Sequence, residues 1–126
     1  MTFEKKESKK YYFQCYSCGF QPGGSQTPCD LTTNLGKQID CSDVYPTPEG
    51  DLYCGVMHVT MSGYDGYNKG CLDYGVLTPD EKPAWGPADE HCADATMLGS
   101  VKSHACKCQT DMCNKDFTSA GDAGVN

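Results

Sequence analysis

The chain has 126 residues, ten of them cysteine, with only 38% hydrophobic residues and a formal net charge of −7. So little apolar material cannot fill a deep core at this length, and domains of this kind use covalent staples instead. An even cysteine count fits complete pairing, which needs an oxidising compartment and argues against a cytosolic enzyme or a multidomain chain.

Short strand signals bounded by turn residues predict an all-β domain. Tyr11 to Tyr16 is aromatic-rich and predicts the first strand, followed by a turn cluster from Gln21 to Ser25. The clearest strand is Leu52 to Met61. There Leu52, Cys54, Val56, His58 and Thr60 alternate with Tyr53, Gly55, Met57, Val59 and Met61, the period of two that a strand requires. Ser62 to Gly66 holds two glycines and predicts a hairpin turn, with Tyr67 to Leu72 returning antiparallel. The stretch between Cys71 and Cys92 contains Pro79, Pro83, Pro87 and the only tryptophan, Trp85. With a cysteine at each end it reads as an elaborated loop. Asp89 to Met97 has room for one or two helical turns, and Ser100 to Lys107 predicts a last strand.

The charge is unevenly laid out. Lys5, Lys6, Lys9 and Lys10 outweigh Glu4 and Glu7 in the first ten residues, so the rest of the chain is more acidic than the whole. There is no arginine, and with it goes the planar fork that reads phosphate and guanine edges. Nucleic acid and anionic membrane surfaces are poor partners for such a body. The acids from Asp65 to Asp94 read as a solvated loop that keeps the domain soluble. No run approaches the ~20 apolar residues of a membrane span, and Met1 to Lys10 lacks the apolar centre of a signal peptide. The expected layout is a tag-like or flexible segment over 1–10, a folded domain over 11–116 and a flexible stalk over 117–126. Ser119-Ala120-Gly121 is a candidate lipid-attachment triplet within that stalk. No Asn-x-Ser/Thr sequon occurs.

The cysteines are Cys15, Cys18, Cys29, Cys41, Cys54, Cys71, Cys92, Cys106, Cys108 and Cys113. Spacing alone leaves on the order of a thousand pairings open. The opening Phe13-x-Cys15-Tyr16-x-Cys18 and the close Cys106-x-Cys108-x-x-Asp111-x-Cys113-Asn114 resemble the three-finger family of snake toxins and lymphocyte-antigen/urokinase-receptor (LU) domains. The single residue between Cys106 and Cys108, Lys69-Gly70-Cys71, and the long Cys71-to-Cys92 interval look like its insect quiver/sleepless branch. The resemblance spans residues 11–116. It implies a small disulfide-rich three-finger fold with bridges Cys15–Cys54, Cys18–Cys29, Cys41–Cys71, Cys92–Cys106 and Cys108–Cys113, and a structural role for Asn114 in hydrogen-bonding the knot.

Other chemistries fit the residues less well. Cys15-x-x-Cys18 and Cys106-x-Cys108, with His91 and His104 nearby, contain pieces of a zinc site, but four ligands would leave six cysteines unexplained. As a redox pair, Cys15-x-x-Cys18 lacks a strand-to-helix setting. His58 reads as a sheet-face histidine and His104 as an exposed one, while Asp80-Glu81 and Asp89-Glu90 are loop carboxylates beside prolines. No nucleophile elbow, zinc-binding His-x-x-x-His or phosphate loop occurs. The sequence therefore predicts no enzyme, metal or cofactor. The expectation is a monomeric, secreted or glycolipid-anchored recognition module, with Tyr64, Tyr67 and Trp85 as contact residues. The resemblance implies a membrane receptor or channel as partner: an ion channel, an acetylcholine-gated receptor or a junction component. Two alternatives are the ligand-binding ectodomain of a growth-factor receptor and a freely secreted toxin-like effector.

Overall fold

The computed structural model describes residues 13–19, 29–97 and 99–121. Two antiparallel sheets carry the fold. In the smaller, β1 (Gln14–Ser17) pairs with β2 (Lys37–Asp40). The larger runs β4-β3-β6-β5 and contains β3 (Leu52–Met61), β4 (Tyr64–Asp73), β5 (Cys92–Met97) and β6 (Val101–Cys108). Hydrogen bonds in both directions between Cys18 and Lys69 join the end of β1 to β4. The described residues also hold two one-turn α-helices, α1 (Cys41–Val44), capped by the Asp40 carboxylate on the Ser42 amide, and α2 (Lys82–Trp85), and a 3-10 turn over Tyr74–Val76.

All five bridges are those the resemblance implied: Cys15–Cys54, Cys18–Cys29, Cys41–Cys71, Cys92–Cys106 and Cys108–Cys113. Three antiparallel hairpins tied by five disulfides make a small β fold compatible with the three-finger type. Each long-range bridge removes disorder from the unfolded chain worth about 2–4 kcal/mol in the chain-entropy model. Five disulfides also mark an extracellular or secretory environment. Among the described residues no helix is long and apolar enough to cross a membrane.

Leu52–Met61 is the predicted strand, with the predicted ends. Its return strand is longer than expected, because only Ser62 and Gly63 lie between the paired Met61 and Tyr64. The first described strand begins at Gln14, and the Gln21–Ser25 turn cluster lies outside the described residues. Asp89–Met97, with room for one or two helical turns at most, holds β5 over most of its length. Cys92 sits directly opposite Cys106, to which it is bonded, and this covalent tie holds the segment against β6 as a strand. The helical turn falls earlier, where Pro83 stands in the first turn of α2 and Gly86 ends it at φ 78°, a positive value that glycine adopts without a Cβ penalty.

The predicted alternation along β3 fails from Leu52 to Val56, where all five residues are buried. Both faces of the sheet are covered there. One face carries Leu52, Cys54, Val56, Cys106 and Cys108, packed with Cys15, Cys41, Cys113, Phe117 and Ala120. Ala120 is only 1% exposed, so the packed unit includes residues beyond the boundary expected at 116 and takes in part of the Ser119-Ala120-Gly121 triplet. The other face lies beneath the 74–90 segment.

A core built largely of sulfur is supplemented by buried charge. The Lys69 ammonium donates to the carbonyls of Asp30 (2.7 Å), Leu35 (3.2 Å) and Lys115 (2.7 Å), drawing the first finger and the C-terminal segment together. Burial pulls its pKa below that of an ordinary lysine, against the opposing charges of Asp30 and Asp116. The Asp73 carboxylate, 1% exposed, accepts the backbone amides of Glu49, Gly50 and Gly75.

Carboxylates also fix the local turns. Asp30 accepts the amides of Thr32, Thr33 and Asn34 and the Thr33 hydroxyl. These bonds, led by that from Thr32, hold its pKa far below the 3.8 of an ordinary aspartate. Asp40 is lowered by the Ser42 amide and hydroxyl. Both groups have folded pKa values below their unfolded ones, so the stability they contribute is complete above 3.8 and is lost as pH falls through the folded values. Thermal melting is therefore expected to hold steady down to about pH 5 and then decline, with a shallower acid decline in Asp30→Ala. An identical acid profile in that variant would show that the turn carboxylate contributes nothing.

Candidate functional site

Every cysteine is bridged, which removes thiol chemistry from the described structure. The Sγ atoms of Cys15, Cys41 and Cys71 lie within 4.8 Å of one another, but each is bonded to another sulfur. They form the packed sulfur knot and not a set of thiolate ligands. Both halves of the zinc-like pattern, Cys15/Cys18 and Cys106/Cys108, are likewise used up in disulfides.

A groove of about 430 Å³ lies between the β2–α1 corner and the large sheet. Its floor is a pair of glycines, Gly55 of β3 and Gly70 of β4, which are direct cross-strand partners. Ile39, Val44, Tyr45, Leu72 and Trp85 wall it. Val44 is 46% exposed and so offers apolar surface at the mouth of the groove. The two floor glycines serve different ends. A Cβ on Gly55 would lie 2.7 Å from Cη2 of Trp85, so the missing side chain is what seats the indole. A Cβ on Gly70 would meet nothing within 4 Å, so its missing side chain leaves the groove open.

Trp85 is held from behind. Lys107 is the cross-strand partner of Gly55 and is 1% exposed. Its ammonium donates to the carbonyls of Trp85 (2.9 Å), Pro87 (2.8 Å) and Glu90. The Tyr74 hydroxyl donates to Gly86 (2.8 Å) and that of Tyr53 to Ala88 (3.3 Å). Five carbonyls between residues 85 and 90 thus find donors from three side chains. The ammonium also lies 5.6 Å from the Tyr53 ring centre and 5.7 Å from that of Tyr74. Burial lowers the Lys107 pKa, with the charges of Glu90 and Asp89 opposing.

The three predicted contact residues do not form one surface. Trp85 lies over Gly55 on the groove face. Tyr67 lies on the opposite face, stacked on His58 at 4.8 Å and 6.3 Å from Phe117. Tyr64 pairs through its backbone with Met61 at the tip of the second finger, and its side chain lies outside what is described. Asn114 is fully buried and bonded to the backbone of Tyr16 and Gly55. His58 and His104 each contact a carboxylate, Asp65 and Asp94 respectively.

Sequence reasoning missed Lys107 and the β2–α1 wall. One signal was present for the lysine. Between two cysteines of one strand that both face a sulfur core, residue 107 must point to the opposite side. Val44 and Ile39 carry no such signal, because their role depends on how the first finger docks on the second. Comparison with protein-family models, curated proteins and solved structures finds no match.

Proposed function

We propose that the chain is a non-catalytic extracellular recognition domain of the three-finger type, nearest in cysteine pattern to the quiver/sleepless branch. Its partner is a membrane protein: an ion channel, an acetylcholine-gated receptor or a junction component. The domain acts from a secreted or glycolipid-anchored position and shifts its partner toward the state it binds more tightly, or escorts it to the surface. The observation that carries this reading is the glycine-floored groove, walled by a clamped Trp85 and an exposed Val44 on a disulfide-stapled frame. A large aromatic side chain already fixed in place loses little entropy on binding.

Capture of surface partners on intact cells tests it. Gly70→Leu puts a side chain into the groove at a position where the added Cβ meets nothing within 4 Å, and Trp85→Ala removes its wall. Each is expected to weaken capture by about thirtyfold or more, the scale of a hot-spot loss of about 2 kcal/mol. Tyr64→Ala reports on the fingertip separately. If all three variants capture the same partner as strongly as the parent chain, recognition uses another surface.

A further inference from the structure

On the face that bears the sulfur core, the character of the sheet changes abruptly one row beyond Val56. The row Lys69–Val56–Cys106–Cys92 gives way to Tyr67–His58–His104–Asp94, read across β4, β3, β6 and β5 in direct register. Asp65 is one alternate position further along β4 and reaches back to His58. Two histidines are thus direct cross-strand neighbours, each with its own carboxylate: His58 Nε2 with Asp65 and His104 Nδ1 with Asp94, the latter at 2.7 Å. The imidazoles are about one-third exposed, at 32% and 33%. Tyr67 stacks on His58 at 4.8 Å and Phe117 lies 4.9 Å from His104, giving the pair an apolar wall on its core side.

We propose that His58 and His104 are the protein ligands of a surface site for a divalent transition-metal ion, of the zinc, nickel or copper class. Residues directly opposite on adjacent antiparallel strands have Cβ atoms about 4.5–5.5 Å apart, close enough for two imidazoles to converge on one ion by rotation of their side chains. The carboxylates set the tautomers. An imidazole that donates one N–H to a carboxylate presents a lone pair on its other nitrogen. This designates Nδ1 of His58 and Nε2 of His104 as the donor atoms. The ion takes those lone pairs and displaces any other partner of the two nitrogens, and its remaining positions are filled by water or by a donor from a partner. Imidazole is a preferred ligand for these metals, and a carboxylate behind it raises its basicity. Asp65 and Asp94 are positioning residues here, since they act through the rings.

Isothermal titration of the intact, disulfide-bonded chain with zinc, nickel and copper chlorides is the test. One ion per chain is expected, with affinity lowered more than about tenfold by His58→Ala or His104→Ala. Asp94→Asn is expected to weaken it by about 10–100-fold, the usual scale for a carboxylate behind a metal-bound histidine, and to change the tautomer of the His104 ring in nitrogen NMR. His91→Ala, remote from the row, is expected to bind as the parent does. Titrating nickel into the unsubstituted protein is expected to perturb the ring signals of His58 and His104 together, a readout independent of how well the variants fold. No stoichiometric binding, binding that survives the double His58→Ala/His104→Ala substitution, or perturbation centred on His91 would each overturn the proposal.

Discussion

Lys107→Met is expected to destabilise the fold by about 2–4 kcal/mol and to release the 74–90 segment from the sheet. The substitution keeps most of the aliphatic stem and removes only the ammonium. The carbonyls of Trp85, Pro87 and Glu90 then lose their shared donor. An unpaired buried acceptor costs about 1–3 kcal/mol, and carbonyls that regain water fall at the low end of that range. Because Trp85 is the only tryptophan, its fluorescence reports the release directly. Emission is expected to shift to the red as the indole lifts from Gly55, with faster hydrogen exchange at Gly86, whose amide closes α2 onto Lys82. Lys102→Met, an exposed lysine on the same strand, is the control and should stay within about 0.5 kcal/mol of the parent. If Lys107→Met keeps the parental emission and melting temperature, the ammonium does not hold the segment.

This expectation ties stability to recognition. The same residue that satisfies the carbonyls of the 85–90 stretch also fixes the wall of the groove. Loosening it is predicted to weaken partner capture even though Lys107 lies behind the groove, out of its lining. Gly70→Leu separates the two effects, because residue 70 lines the groove and takes no part in the hydrogen bonds of the clamp.

The fold was readable where constraint is local or covalent. Strand β3 announced itself through alternation and the turn that follows it. The cysteine pattern carried the bridges through its resemblance, and the bridges largely dictate which strands meet. What could not be read was which faces would be covered. Lys69 and Lys107 look in sequence like any solubilising lysine, and only the docking of distant loops turns each into a three-bond hub. Tyr67, named from the sequence as a contact residue, lies at the fourth register pair from the turn, where Phe117 of the C-terminal segment reaches it. The groove was likewise invisible, since its floor is defined by two side chains that do not exist.

Asn114→Ala is expected to cost about 3 kcal/mol, a large share of the stability of a domain this small. The side chain is fully buried and uses both ends of its amide. Its Oδ1 accepts the Tyr16 amide at 2.9 Å, while Nδ2 donates to the carbonyls of Tyr16 at 3.0 Å and Gly55 at 2.8 Å. One residue beyond the Cys108–Cys113 bridge thereby completes the backbone pairing of β1 and fixes β3 at the glycine beneath Trp85. Alanine removes the side-chain partner of the Tyr16 amide and carbonyl, and one of the bonds to the Gly55 carbonyl, which also lies opposite Gly70 in the β3–β4 ladder. Asn114→Asp is the sharper test, because it nearly preserves shape and keeps the acceptor while removing both donors and adding a buried charge. At neutral pH it should therefore be less stable than Asn114→Ala, and it should recover as the pH falls and the carboxyl gains a proton to donate. Denaturant midpoints of the oxidised proteins would show this order. An aspartate variant as stable as the parent at neutral pH would mean that the amide donors contribute nothing, and that the knot is held by sulfur alone.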